Sequence, residues 1–123
     1  MKVKIKRAYE SPQREDGCRI LVDRLWPRGL KKEAADVDIW LKEIAPTTSL
    51  RKEFGHDPAK WKGFKEKYLR ELHANTEPVS ILKGKMKQGP VTLLYAAKDE
   101  EHNHALALLQ YVTGRKKQPS AAG

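Results

Sequence analysis

The stretch Val91 to Ala97 reads V-T-L-L-Y-A-A: seven residues with one hydroxyl and one phenol among them, set between Gly89-Pro90 and Lys98-Asp99. A run this short and this continuously apolar fits a strand buried on both faces, the kind found inside parallel sheets, and Gly-Pro is the punctuation expected in front of it. It is therefore read as the central strand. Such a strand requires neighbours in the sheet and helices above and below it, and the remaining sequence supplies both.

Two strands precede it. Lys2 to Arg7 alternates, with Lys2, Lys4 and Lys6 on one face and Val3, Ile5 and Arg7 on the other, which is the period of a half-exposed strand; lysines also discourage edge pairing. Ser11 to Gly17 is a polar loop, and Cys18 to Leu25 reads as a second strand that Pro27 and Gly29 stop. Among the helices, the clearest opens at His56-Asp57-Pro58, where Asp57 suits the N-cap and Pro58 the first helical position. Trp61, Phe64, Tyr68 and Leu72 then form an apolar stripe, which predicts a helix to about Leu72 or His73. Val37, Trp40, Leu41 and Ile44 fall at i, i+3, i+4 and i+7, predicting an amphipathic helix capped by Asp36 and ended by Pro46. A helical turn pairs Leu50 with Phe54, and a shorter helix is expected from about Val79 to Met86, weakened by Gly84. After the central strand, Ala105, Leu108, Leu109 and Val112 share one face of a last helix, with Asp99 where an N-cap belongs. Strands interleaved with helices around a doubly covered strand give a small three-layer α/β domain with a mainly parallel sheet, over residues 1–114. A flexible basic and polar tail is expected at 115–123.

At 123 residues the chain has room for one core, and its 39% hydrophobic and 33% charged residues are globular composition. The net charge of +9, from 25 basic and 16 acidic residues, fits an anionic partner or serves solubility alone. Cys18 is the single cysteine, so no internal disulfide or cysteine-based zinc site is available and a reducing compartment fits. No apolar h-region follows Met1, and no run approaches the ~20 apolar residues of a membrane span, so a cytoplasmic protein without a membrane partner is expected. There is no P-loop, no GxGxxG and no GxSxG elbow, which excludes the best-marked nucleotide and hydrolase folds, and no cofactor motif is present.

In parallel α/β sheets, ligands collect beyond the carboxyl ends of the strands. Here those ends carry Asp23, Arg24, Trp26 and Arg28 after the second strand, and Tyr95, Lys98, Asp99, His102 and His104 after the central one. Arg24 and Arg28 lie four apart across a Pro-Gly bend. Their guanidinium forks could grip one phosphate or carboxylate, or else pair with a carboxylate and fix a corner. Trp26 reads as core or a lid, with a stacking surface as the rival role. Asp23, Asp99 and His104 are the candidate acid–base groups. His102 and His104, with His56 or Asp99, are the candidate metal ligands, although a spacing of two is not the i, i+4 pattern of a helical zinc pair. Lys60, Lys62, Lys65 and Lys67 beside the aromatic stripe read as a solvated face, or as a track for a phosphate backbone.

Four blocks in this order, V-D-R-L-W-P-R-G (22–29), W-L-K-E-I-A-P (40–46), F-G-H-D-P (54–58) and L-L-Y-A-A-K-D-E-E-H-N-H-A (93–105), resemble the YeaO-like branch of domain of unknown function 488. The resemblance covers about Val3 to Val112 and implies a compact, Rossmann-like bacterial or archaeal α/β protein of no settled activity. The segments Asp23 to Gly29 and Tyr95 to Ala105 correspond to the family's signature blocks. Other branches carry a cysteine–histidine pair where this chain has Asn103-His104, which argues against a thiol mechanism here.

The first functional reading is a domain that binds a small anionic, phosphorylated or nucleotide-like ligand. Arg24, Arg28 and Lys98 would neutralise its charge, while Asp23, Tyr95, Asp99, His56 and His104 would orient it or move protons. Whether catalysis occurs is left open; a hydrolase or transferase is the class that fits. The rivals are a nucleic-acid-associated module using the basic surface, and a metal-dependent protein using His102 and His104.

Overall fold

The computed structural model describes residues 2–114, so the expected tail at 115–123 lies outside the described residues. Four strands, β1 (Val3–Arg7), β2 (Cys18–Leu21), β3 (Ile39–Trp40) and β4 (Val91–Tyr95), form one sheet in the order β1-β4-β2-β3, and every pairing is parallel. Five α-helices accompany it: α1 (Lys32–Ala35), α2 (Thr48–Phe54), α3 (Trp61–Ala74), α4 (Thr76–Gln88) and α5 (His104–Thr113), with 3-10 turns at Arg14–Asp16, Lys42–Ile44 and Pro58–Lys60. The V-T-L-L-Y strand lies between β1 and β2, and all five of its residues are buried. Among the described residues no helix is long and apolar enough to cross a membrane.

Register carries the alternation straight across the sheet. Ile5, Leu93, Ile20 and Ile39 pair in one row, facing the main core with Val91, Tyr95, Val22 and the apolar stripes of α2, α3, α4 and α5. The opposite face has two halves. Leu94, Leu21 and Ala8 underlie Trp26, Leu30, Val37 and Trp40. Nearer the start of the strands the paired row is Lys4, Thr92 and Arg19, three polar residues inside a sheet. They are matched by Asp16, which is fully buried. Its carboxylate meets Lys4 (3.0 Å), Lys6 (2.9 Å) and Arg19, and accepts the Gln13 N–H (3.0 Å), while Thr92 Oγ1 donates to its carbonyl (2.7 Å). Burial pushes the Asp16 carboxyl up, but the Gln13 N–H and the Lys6, Lys4 and Arg19 side chains outweigh it and hold the group well below the usual carboxylate range. Gly17 closes this turn at φ 67°, and a Cβ there would lie 2.3 Å from the Pro90 carbonyl oxygen, which instead accepts the Cys18 N–H.

The helix expected over Val37 to Ile44 is not formed. Asp36 sits in the left-handed region (φ 49°, ψ 50°) and ends α1 instead of starting a helix. Asp38 then locks onto β2, donating its N–H to Arg19 O and accepting the Arg19 N–H through Oδ2, both at 2.9 Å. That pairing starts β3 and splits the apolar positions between the two cores: Val37 and Trp40 go to one, Ile39, Leu41 and Ile44 to the other. Partners in the sheet outweighed a helical spacing carried by four residues. The second strand ends at Leu21, four residues earlier than expected, and Gly84 does not interrupt α4, which runs from Thr76 to Gln88. Asp57 accepts the Ala59 N–H as the expected cap, although a 3-10 turn precedes α3. The N-cap of α5 is Asn103, not Asp99, since its Oδ1 accepts the Leu106 N–H at 2.8 Å.

Candidate functional site at the C-terminal rim of the sheet

The ends of β1, β4 and β2 lie side by side, so the segments that follow them share one rim. After β2, Asp23 ties three elements together. Its Oδ2 accepts the Ala96 N–H (3.1 Å) beyond β4, and its carbonyl accepts the Trp40 Nε1–H (2.8 Å) from β3. Its Oδ1 lies 3.1 Å from His104 Nε2 at the start of α5, and that nitrogen is also 2.9 Å from the Val22 carbonyl. Both neighbours are acceptors, so Nε2 carries the ring proton. The N–H is directed to the carbonyl. Oδ1 is buried without a hydrogen bond among the described residues, and it meets the ring as an electrostatic neighbour.

Asp99 is likewise occupied. Its Oδ1 accepts the N–H groups of Glu101 (2.9 Å) and His102 (3.0 Å), and its Oδ2 meets His102 Nδ1 at 2.9 Å. The Glu101 N–H, followed by the His102 ring, holds this carboxyl below its ordinary value. Asn103, which is buried, donates Nδ2–H to Asp99 O (3.0 Å) and so supports the same loop. His102 packs edge-on against Trp61, His104 edge-on against Tyr68, and His56 is exposed at φ 57° beside Phe54. The three histidines therefore have separate surroundings, and among the described residues no group of three His, Cys, Asp or Glu side chains is placed to hold a metal ion.

The cations divide in two. Arg24 donates to Pro46 O (3.2 Å) and Ala45 O (3.0 Å), fastening the chain that leaves β2 to the segment before α2. Arg7, which the strand-end reading did not single out, donates to Ala96 O (2.8 Å) and Ala97 O (2.9 Å) and fixes the chain leaving β4. The only advance signal for it was a charged residue on the apolar face of β1. Arg28 and Lys98 are exposed, and among the described residues neither side chain has a hydrogen-bond or ion-pair partner. Arg28 follows buried Pro27 and precedes Gly29 at φ 76°, and its carbonyl accepts the Tyr9 hydroxyl at 2.8 Å. Trp26 is committed inward: its Nε1–H donates to Leu30 O (2.7 Å), and its ring meets Trp40 edge-on with centroids 5.5 Å apart. Tyr95 is buried on the main-core face, and burial, then Glu100, pushes its phenol up.

A model of the DUF488-N3i family, described as an inactive DUF488-N3 subclade, matches residues 2–122. The chain is 45% identical over 112 residues to the uncharacterized protein YeaO of Escherichia coli (strain K12), spanning 91% of this chain and 97% of the relative. It is 36% identical over 116 residues to the uncharacterized protein Rv3073c of Mycobacterium tuberculosis (strain ATCC 25618 / H37Rv), spanning 93% and 96%. No solved structure matches.

Proposed function

The chain belongs to the DUF488-N3i family, and from that premise we propose that it is a cytoplasmic binding module, not a catalyst, for a small anionic, phosphorylated or nucleotide-like ligand at the C-terminal rim of its sheet. One observation carries the reading: on a rim where Arg7, Arg24, Asp23 and Asp99 are all committed to holding the chain, Arg28 is presented to solvent with its fork of donors unengaged. Pro27 fixes φ before it, Gly29 turns the chain away behind it, and Tyr9 holds its carbonyl, so its backbone is placed before any ligand arrives. Lys98 adds a second exposed cation from the segment that follows β4. The acids do not serve as general acids or bases in this reading: Asp99 spends both oxygens on backbone N–H groups and His102, and Asp23 holds the Ala96 N–H through Oδ2 with Oδ1 buried against His104, which agrees with a subclade described as inactive.

Calorimetry with pyrophosphate tests this. Wild type should bind it, and Arg28→Lys, which keeps the charge and loses the fork, should bind about tenfold or more weakly at an unchanged thermal midpoint, since a charge-assisted hydrogen bond contributes ~1.5 to 3 kcal/mol. Equal affinity would leave V-D-R-L-W-P-R-G a structural corner. Affinity for an oligonucleotide that collapses by orders of magnitude between about 50 and 200 mM salt, with no pyrophosphate binding, would favour the nucleic-acid reading instead. Phosphate release from ADP on long incubation would make the protein a hydrolase.

A further inference from the structure

Resting on that anion-binding reading, we infer that the ligand is a free nucleotide and that Tyr9 is the platform on which its base lies. Tyr9 follows β1 on the same rim and is 43% exposed, yet it is held at several points. The preceding residue, Ala8, donates its N–H to Tyr95 O (2.7 Å), and the Tyr9 hydroxyl donates to Arg28 O (2.8 Å). The Arg7 guanidinium lies 5.0 Å from the ring centroid, itself held by Ala96 O and Ala97 O.

An exposed aromatic ring normally rotates freely. Here a fixed cation and a hydroxyl anchor fix its plane, so little freedom remains to be lost when a flat group stacks on the exposed surface. Every nucleobase presents such a face. The hydroxyl anchor also brings the ring beside the residue that carries the fork: the platform touches the backbone of Arg28, and Lys98 follows directly on the Ala97 carbonyl that Arg7 holds. A base on Tyr9 and a diphosphate between Arg28 and Lys98 match the order of parts in a nucleoside diphosphate. Trp26, for which the sequence offered stacking as the rival to a core or lid role, is turned into the second core and cannot stack a base without unpacking from Trp40.

The test compares ADP with pyrophosphate by calorimetry on wild type, Tyr9→Phe and Tyr9→Leu, with a thermal midpoint for each. Wild type should bind ADP roughly five- to a hundredfold more tightly than pyrophosphate, the range that stacking of one base on an aromatic ring supplies. Tyr9→Leu should erase that preference, costing ADP more affinity than pyrophosphate, with a pyrophosphate loss no larger than the one Tyr9→Phe shows for losing the hydroxyl's hold on Arg28. Tyr9→Phe keeps the ring and should keep most of the preference, which separates stacking from the hydroxyl's hold on Arg28. Equal wild-type affinities for ADP and pyrophosphate, or equal losses for both in Tyr9→Leu, would overturn the platform while sparing the anion site. Failure of pyrophosphate itself to bind would remove the anion site as well. Tighter binding of a single-stranded oligonucleotide than of ADP, with steep salt dependence, would also overturn the free-nucleotide assignment.

Discussion

Replacing Asp16 by asparagine keeps the shape of the side chain and removes its charge, and it tests whether the polar half of the sheet is held by that single carboxylate. Three cations converge on it, and their exposures decide the cost: the Arg19 side chain is 2% exposed and Lys6 11%, whereas Lys4 is 48% exposed and can return to water. Two buried cations would thus lose their counter-charge, and an asparagine Nδ2 would point a donor at another donor. Breaking a buried ion pair by removing one partner costs ~3 to 5 kcal/mol, a large part of the ~5 to 15 kcal/mol that holds a typical domain together. For a chain of this length each kcal/mol shifts Tm by roughly 3 to 6 °C, so Asp16→Asn should melt on the order of 10 to 25 °C below wild type. The pH dependence gives a second readout. The folded carboxyl is held below its unfolded value of ~3.9, so its contribution is present at neutral pH and fades as pH falls through about 4 and below. Wild type should therefore lose stability on acidification faster than Asp16→Asn, and the two melting curves should converge. A loss below about 1 kcal/mol at pH 7, with parallel acid profiles, would mean the cluster behaves like a solvated surface pair.

Other expectations follow from single contacts. Gly17→Ala should destabilise by at least ~2 kcal/mol in a urea titration, because a left-handed backbone and a 2.3 Å approach to Pro90 O both oppose a methyl group; a neutral result would refute that packing. Tyr68→Phe, which strips the buried hydroxyl donating to Ile44 O at 2.7 Å, should cost about 1 to 2 kcal/mol with no change in fold, and an unchanged midpoint would mean Ile44 O is satisfied otherwise. The Asp99 carboxyl should titrate by NMR below the ~3.9 of a free aspartate, and titration at or above that value would contradict the Glu101 and His102 hydrogen bonds.

The legible and illegible parts of the fold differ in how many elements each depends on. V-T-L-L-Y and the stripe from Trp61 to Leu72 declare themselves because each needs only its own period and its own burial. The segment from Val37 to Ile44 does not, because its conformation is decided by Arg19, eighteen residues away from Val37, which supplies both partners of Asp38. The same holds for Asp16: a charged residue in a polar loop carries no local mark of burial, and its partners Lys4 and Lys6 look like solvated lysines on an exposed strand face. At the rim, the strand-end rule brings Asp23, Tyr95, Asp99 and His104 to one region. It cannot divide Arg24, bound to carbonyls before α2, from Arg28, which is presented to solvent, since that depends on where Ala45 and Pro46 pass. Tyr9 escapes notice because Arg28, whose carbonyl holds its hydroxyl, is distant in the chain.

The most direct measurement of the central claim is an NMR titration of isotope-labelled wild-type protein with pyrophosphate, followed through the backbone amides. A saturable site at the rim predicts shifts concentrated on Tyr9, Arg28, Gly29 and Ala96 to Lys98, all following one binding curve. Non-saturating shifts spread over the lysines of α3 and α4, such as Lys62, Lys67, Lys83 and Lys87, with Arg28 unmoved, would contradict it.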